Sequence, residues 1–217
     1  MPERRAPAPR ARRRAGEIPA RAPVLPAAGA QRPAESRVPE PLVEALLRGP
    51  VEGSVRIIFT DVDGTLTDGV IGYDRNGDSR NFWIRDGIAL EWARKNGVLP
   101  VALSGRDSES VRLRMEDLGV EYYGGLSDKV AVAERILARE NVAWGQCVMV
   151  GDDLPDVPML KRVGWPIAVA NAVGEVKVAA RTVTGNEGGR GAVREVVEMV
   201  LRHNGTWEKV LERYEAR

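Results

Sequence analysis

Short apolar runs alternate with amphipathic segments from about residue 56 to the end of the chain. Short apolar runs bounded by turn residues are typical of buried strands, and a 3.6-residue period is typical of surface helices. Strands are predicted at residues 57–60, 98–103, 120–123, 147–150, 167–169 and 182–184. Helices are predicted at residues 88–95, 130–140, 159–163, 192–203 and 207–214. One more helix is predicted to start from a cap at Asp107 or Ser108 and to end at Leu118. This alternation predicts an α/β fold with a doubly wound, mostly parallel sheet of the Rossmann-like kind.

Residues 70–83 interrupt that alternation with two β-capable runs on either side of Asn76 and Gly77. An Asn-Gly pair favours the type I′ turn of a tight hairpin. The hairpin follows the first strand directly, so we expect a short flap that overhangs the end of the sheet. No insertion in this part of the sequence is large enough for a separate cap domain.

The first 50 residues differ in composition, since they hold ten of the fourteen prolines. Residues 1–38 carry nine Arg and three Glu, whereas the remainder carries 23 basic and 28 acidic residues. We predict a disordered basic tail at 1–38 and one domain at 39–217, entered through a short helix at 41–47. The tail could touch nucleic acid or acidic surfaces, but a solvated tail or a misassigned start codon is the favoured interpretation. It has no apolar core of a secretory signal.

Charge and composition narrow the classes of function. The predicted domain is mildly acidic, so nucleic-acid binding is not expected. No apolar run reaches the roughly 20 residues of a membrane helix, and a cytoplasmic enzyme is expected. The single cysteine, Cys147, excludes an internal disulfide and lies in a predicted core strand. The single histidine, His203, makes a Ser-His-Asp triad or a histidine-rich metal site improbable.

Four polar signals fall where a predicted strand gives way to a helix or loop: Asp61, Ser104, Lys129 and Asp152. Each could singly be a cap or a turn residue. In open α/β sheets, however, ligands bind at the carboxyl ends of the strands. Four such positions on one rim therefore favour a catalytic site over four unrelated turns.

The chemistry of these residues suits phosphoryl transfer. Asp61 and Asp63 would repel each other unless a cation lay between them, and Mg²⁺ prefers such oxygen ligands. Asp61 can attack phosphorus, and Asp63 can protonate the leaving oxygen and then deprotonate water. Ser104 and Lys129 can hold and neutralise the phosphoryl group. Asp152 and Asp153 add metal ligands, and Asp156 is expected to orient them or to bind the metal itself.

The sequence D-V-D-G-T-L-T-D-G resembles motif I of the haloacid dehalogenase-like phosphatases. The segments F-W-I-R-D-G, S-G-R, S-D-K, V-G-D-D-L-P-D-V-P-M and G-G-R-G-A-V-R-E narrow the resemblance to the 3-deoxy-D-manno-octulosonate 8-phosphate (KDO 8-phosphate) phosphatases. The resemblance implies a capless Mg²⁺-dependent phosphoric monoester hydrolase of lipopolysaccharide biosynthesis. The resemblance also implies that the reaction passes through an aspartyl-phosphate and that neighbouring subunits close each site of a homotetramer.

The resemblance also implies roles for individual residues, which are assigned by matching each position of the motifs. The implied metal ligands are Asp61, Asp63 and Asp152. The implied substrate contacts are Asp63, Trp83, Ile84, Arg85, Asp86, Gly87, Arg106, Arg114 and Lys129. A solvated helix charge remains an open interpretation of Arg114.

Four positions depart from the family pattern and leave the substrate open. Ser104 replaces Thr, Trp83 replaces Asn, Ala89 replaces Gly, and Glu91 stands where many members have Arg. A nonulosonate 9-phosphate or a broader range of sugar phosphates is therefore an alternative substrate. A non-catalytic partner of nucleotide-sugar synthesis is a third possibility, although such a protein has no reason to keep a costly acidic cluster.

Overall fold

A computed structural model describes residues 51, 53–75 and 77–215. The strands are β1 (Ile57–Thr60), β2 (Gly72–Asp74), β3 (Gly77–Ser79), β4 (Leu99–Leu103), β5 (Glu121–Tyr123), β6 (Cys147–Gly151), β7 (Trp165–Ala168) and β8 (Thr182–Val183). The helices are α1 (Ile84–Lys95), α2 (Glu109–Leu118), α3 (Lys129–Glu140), α4 (Val157–Leu160), α5 (Gly174–Ala179), α6 (Ala192–His203) and α7 (Trp207–Glu215). None of these helices is both long and apolar enough to cross a lipid bilayer. The predicted tail at 1–38, the predicted helix at 41–47 and Asn76 lie outside the described residues.

Six parallel strands form one sheet in the order β5-β4-β1-β6-β7-β8. The predicted α/β fold with a doubly wound parallel sheet is thereby confirmed. β1 lies between β4 and β6, and its residues Ile57, Ile58 and Phe59 are buried, as a central strand covered on both faces requires. Thr60 pairs with both Ala102 and Val150, so the three strands end at the same edge.

The predicted flap is also present. β2 and β3 form an antiparallel hairpin in which Tyr73 pairs with Asp78, and an isolated bridge between Thr67 and Phe82 lies at its base. The hairpin connects β1 to α1, so it starts from the sheet edge where Asp61 lies.

Two helices begin earlier than the sequence pattern predicts. α1 begins at Ile84 rather than at residue 88, because Gly87, a poor helix former, is tolerated within the first turn. A Cβ atom at Gly87 would lie close to the Arg114 and Leu118 side chains of α2, so the two helices pack closely at this point. α4 begins at Val157 rather than at residue 159, since Pro158 fits the first turn of a helix.

The C-terminal helix α7 packs on the domain through its aromatic side chains. Trp207 contacts Trp92 of α1 edge-on, with ring centroids 5.8 Å apart. The indole N–H of Trp92 donates to the hydroxyl of Tyr214 over 3.0 Å. Arg194 of α6 lies 4.0 Å from the centroid of the Trp92 ring, a cation–π distance that joins all three helices.

Candidate active site

The polar residues predicted at the strand ends converge on a single cleft. Asp61 follows β1, Ser104 follows β4, Lys129 opens α3 after β5, and Asp152 follows β6. The cleft has a volume of about 230 Å³. Its lining consists of Asp61, Asp63, Ser104, Gly105, Arg106, Lys129, Asp152, Asp153, Pro155 and Asp156.

Lys129 is the cationic centre of this cleft. Its buried Nζ atom donates to Asp61 Oδ1 over 2.5 Å and to Asp156 Oδ1 over 2.7 Å. Burial by itself would lower the pKa of Lys129, but the two carboxylates outweigh burial and raise that pKa above its ordinary value. Lys129 is therefore a permanent positive charge beside Asp61. Asp128 caps α3 by accepting from the backbone of Val130, which fixes the start of the helix and so the position of Lys129.

Asp61, Asp152 and Asp156 form an acidic cluster. One carboxylate oxygen from each of the three residues lies within 4.8 Å of those of the other two. Burial first, and then the charge of Asp156, raise the pKa of Asp61. The same two causes raise the pKa of Asp152 to about 6. Three acidic side chains thus face one lysine, and the excess negative charge disfavours ionisation of the cluster.

This group fits a magnesium ion. Mg²⁺ is a hard cation that takes carboxylate oxygens, and a divalent charge would offset the acidic excess around Lys129. The set differs in one member from the predicted ligands Asp61, Asp63 and Asp152, because the third carboxylate is that of Asp156. Asp153 lines the cleft but is exposed and caps the short 3₁₀ turn Leu154–Asp156 through its own side chain.

Neighbouring backbone and hydroxyl groups hold these carboxylates in place. Thr65 donates its hydroxyl to Asp152 Oδ1 over 3.1 Å. Asp156 Oδ2 accepts from the backbone N–H of Asp152 over 3.0 Å, which folds the loop after β6 back on itself. Gly64 has a φ of +97°, and a Cβ atom there would collide with the carboxylate of Asp152. The glycine of motif I is therefore required by the close approach of the loop after β6.

The segment Gly188–Arg194 packs against the backbone of motif I. The backbone N–H of Gly189 donates to the carbonyl of Thr65 over 2.9 Å. A Cβ atom at Gly188 would collide with the backbone at Gly64. The sequence alone did not indicate that this glycine-rich segment packs against the loop of motif I.

Ser104 forms a tight turn at the end of β4. Its buried hydroxyl accepts from the backbone N–H of Arg106 over 3.0 Å. The guanidinium of Arg106 reaches the flap, where Nη2 donates to the Tyr73 hydroxyl over 2.5 Å. Both predicted residues therefore line the cleft, and Arg106 connects it to the hairpin.

Asp63 lies in the cleft, but its carboxylate is bound by an arginine rather than grouped with Asp61 and Asp152. Arg80 Nε donates to Asp63 Oδ1, and Arg80 Nη2 donates to Asp63 Oδ2 over 3.4 Å. Burial would lower the pKa of Arg80, but Asp63 and Asp78 outweigh it and raise that pKa, so the guanidinium stays charged. Sequence reasoning missed Arg80. The available signal was an arginine two residues after Asp78, since opposite charges so close in sequence can pair.

The remaining predicted substrate residues do not line the cleft within this chain. Trp83, Ile84 and Arg85 are exposed at the start of α1. Asp86 is buried and accepts from the backbone N–H groups of Arg194, over 2.7 Å, and Gly191, over 3.3 Å, so it caps α6. Arg114 packs beside Gly87 and pairs with Asp117 over 2.7 Å. A substrate role for these residues stays a prediction.

Comparison with known proteins agrees with this architecture. The sequence profile of the haloacid dehalogenase-like hydrolases matches residues 125–196. The 3-deoxy-D-manno-octulosonate 8-phosphate phosphatase of Haemophilus influenzae is 36% identical over 154 residues, which are 70% of this chain and 86% of that protein. The phosphatase of the same description from Escherichia coli K12 is also 36% identical, over 70% of this chain and 82% of its own length.

Solved structures show the same likeness. A probable phosphatase of the yrbi family from Pseudomonas syringae has a TM-score of 0.74 and 34% identity, covering 79% of this chain and 97% of its own. The 3-deoxy-D-manno-octulosonate 8-phosphate phosphatase of Moraxella catarrhalis, solved with magnesium, phosphate and KDO, has a TM-score of 0.72 and 27% identity. The match covers 78% of this chain and 96% of the Moraxella chain.

The parallel sheet, the acidic cluster and the lysine at its edge define a phosphatase of the haloacid dehalogenase-like class. Within that class, the chain belongs to the family of the 3-deoxy-D-manno-octulosonate 8-phosphate phosphatases.

Proposed function

We propose that the protein is a Mg²⁺-dependent phosphatase that hydrolyses a 2-keto-3-deoxy sugar acid phosphate, foremost 3-deoxy-D-manno-octulosonate 8-phosphate. The observation that carries the proposal is the convergence of Asp61, Asp152 and Asp156 around the Nζ atom of Lys129. The relatives are named for this substrate, and 36% identity over 86% of the Haemophilus protein supports the same reaction class.

The reaction follows from the positions of the side chains. An oxygen of Asp61 attacks phosphorus while the bond from phosphorus to the sugar oxygen breaks, giving an aspartyl-phosphate. Asp63 gives a proton to the departing sugar oxygen, so the sugar leaves as an alcohol. Asp63 then takes a proton from water as that water attacks phosphorus. Phosphate is released and the Asp61 carboxylate is restored.

The other residues of the cleft neutralise charge during these steps. Lys129 and the backbone N–H groups after Ser104 hold the phosphoryl oxygens and neutralise their negative charge while the phosphoryl group is transferred. Asp61, Asp152 and Asp156 would hold the magnesium. When bound, the metal supplies electrostatic stabilisation of the phosphoryl oxygens.

The assembly is part of the same proposal. Tyr73, Trp83, Ile84 and Ile88 expose large apolar surface on the flap and at the start of α1. Exposed apolar surface of this kind marks association sites in many proteins. We therefore propose the homotetramer expected from the family resemblance, with a neighbouring copy covering these residues beside the cleft. A cytoplasmic location completes the proposal.

A phosphate-release screen tests the function. Purified protein with Mg²⁺ is supplied with 3-deoxy-D-manno-octulosonate 8-phosphate, a nonulosonate 9-phosphate, ribose 5-phosphate and glucose 6-phosphate. The proposal expects the highest kcat/KM for the octulosonate ester. A preference for the nine-carbon ester would move the assignment to that substrate. Release from none of the four esters would refute the phosphatase assignment.

A further inference from the structure

The flap is joined to the catalytic loop by one buried arginine. Arg80 directly follows β3, and although the hairpin itself is largely exposed, the side chain of Arg80 is fully buried. Burying a guanidinium is costly unless its donors are satisfied by partners of opposite charge. The contacts of Arg80 explain why this burial is stable and what the residue does.

The three nitrogens of the Arg80 guanidinium are all engaged within the chain. Nε and Nη2 bind the two carboxylate oxygens of Asp63, while Nη1 donates over 2.7 Å to both Asp78 Oδ2 and Ser108 Oγ. Arg80 is therefore not free to bind substrate phosphate in this arrangement. Its forked contact instead fixes the orientation of the Asp63 carboxylate, since a planar guanidinium holds both oxygens at once.

Ser108 also contacts Arg80 and connects the flap to α2. It is the residue preceding α2, where a serine would ordinarily cap the helix, but its side chain makes no capping bond. Its hydroxyl instead donates to Asp78 Oδ1 over 2.8 Å and accepts from Arg80. The Ser108 side chain therefore connects the flap to the residue that precedes α2, and it binds Nη1, the Arg80 nitrogen that does not contact Asp63.

We propose that Arg80 is the positioning residue for Asp63, and that it thereby links proton transfer to the flap. The inference rests on the proposed phosphatase function, in which Asp63 protonates the leaving sugar oxygen. The Tyr73–Arg106 contact holds the same hairpin to the loop after β4, so the flap is fixed at two points of the cleft. Arg80 acts through Asp63 and does not itself contact the reacting atoms.

The chemistry of the leaving group separates this role from a merely structural one. A sugar alkoxide is a poor leaving group and needs a proton as it departs, whereas p-nitrophenolate departs without one. A misplaced general acid therefore slows cleavage of a sugar phosphate and spares cleavage of p-nitrophenyl phosphate. A general loss of structure in the cleft slows both reactions alike.

The test measures leaving-group release in a single turnover, with enzyme in excess, from p-nitrophenyl phosphate and from the sugar phosphate that the wild type cleaves fastest. In Arg80→Gln, release of the sugar should slow by more than about tenfold, within the range that general acids contribute, while nitrophenolate release stays near the wild-type rate. Arg80→Lys should recover part of the lost rate, since it keeps the charge but not the fork. Arg75→Gln, which removes an exposed charge from the same hairpin, should leave both rates unchanged.

Equal slowing of both substrates, or no slowing of either, would overturn the inference while leaving the phosphatase assignment standing. A wild type that releases neither leaving group would refute the proposed function and the inference with it. Circular dichroism and thermal unfolding establish that each variant is folded. If Arg80→Gln does not fold, the same two rates in Arg80→Lys decide between the outcomes.

Discussion

Lys129, the first residue of α3, places its Nζ atom 2.5 Å from Oδ1 of Asp61, the residue that directly follows β1. The two residues are 68 positions apart in sequence and are both buried. The parallel order of β1, β4 and β5 brings them to one edge of the sheet. A fixed positive charge thus lies beside the proposed nucleophile before any substrate binds.

Lys129→Met should reduce both turnover and stability. Loss of a charge placed for the transition state costs about 10²–10³-fold in kcat. Removing one partner of a buried ion pair leaves Asp61 and Asp156 uncompensated and costs about 3–5 kcal/mol of unfolding free energy. Steady-state kinetics and urea unfolding measure the two effects. Lys161→Met, on the exposed end of α4, is the matched control, and equal effects from both variants would remove the special role of Lys129.

Asp152→Asn should weaken the binding of magnesium, so that the variant needs more Mg²⁺ for activity. EDTA should stop phosphate release, and added Mg²⁺ should restore it. Because Asp152 is a proposed ligand, the variant should need about 10–100-fold more Mg²⁺ for half-maximal rate. Glu134→Gln, an exposed change on α3, serves as the control. An unchanged magnesium dependence in Asp152→Asn would show that the metal is not held by this carboxylate.

Asp86→Ala should lower stability without any change in the residues that line the cleft. The side chain caps α6 from a different helix, and its loss leaves the backbone N–H groups of Arg194 and Gly191 without an acceptor. The expected cost is about 1–3 kcal/mol of unfolding free energy. Asp86→Asn keeps one acceptor oxygen and should lose less. Equal stability of the wild type and Asp86→Ala would exclude the capping role.

Asp86 also predicts a pH dependence of stability. Burial raises its pKa to about 6, although the N–H groups of Arg194 and Gly191 and the Arg194 charge oppose the rise. In the unfolded chain, the carboxyl has a pKa of about 3.9. The folded protein therefore binds the proton more tightly than the unfolded chain does. The contribution of Asp86 to the free energy of unfolding falls as the pH rises from about 4 to about 6.

Denaturation at pH 4.5 and pH 7.5 measures this effect, with Asp86→Asn as the reference that cannot titrate. The wild type should be more stable relative to Asp86→Asn at the lower pH, by about 1–3 kcal/mol. A difference that is the same at both pH values, or larger at pH 7.5, is incompatible with the raised pKa.

The alternation of apolar runs predicted the sheet and the edge on which the cleft lies, and the Asn-Gly pair between two β-capable runs predicted the flap. Strand ends in a parallel sheet are set by topology, so Asp61, Ser104, Lys129 and Asp152 were accessible from sequence alone. The first residues of helices were harder to predict from sequence where Gly87 and Pro158 lie in the first turn. Those residues disfavour a helix interior, yet both are tolerated at the N-terminus of a helix.

Contacts between distant side chains were not accessible from sequence. Asp86 reaches the N-terminus of α6 across more than a hundred residues, and no local pattern distinguishes this cap from a substrate contact. The contact of Arg80 with Asp63 likewise depends on how far the hairpin folds back over the cleft. Such partners are determined by tertiary packing, which hydrophobic periodicity does not describe.

The central claim is that Asp61 carries the phosphoryl group during turnover, and its most direct test is chemical trapping. The enzyme is acid-quenched while it hydrolyses the sugar phosphate and then treated with sodium borohydride, which reduces an acyl phosphate to an alcohol. Mass spectrometry of the peptides should locate the reduced side chain at Asp61, and Asp61→Asn should show none. Reduction at another carboxylate, or no reduced peptide in an active enzyme, would contradict the account.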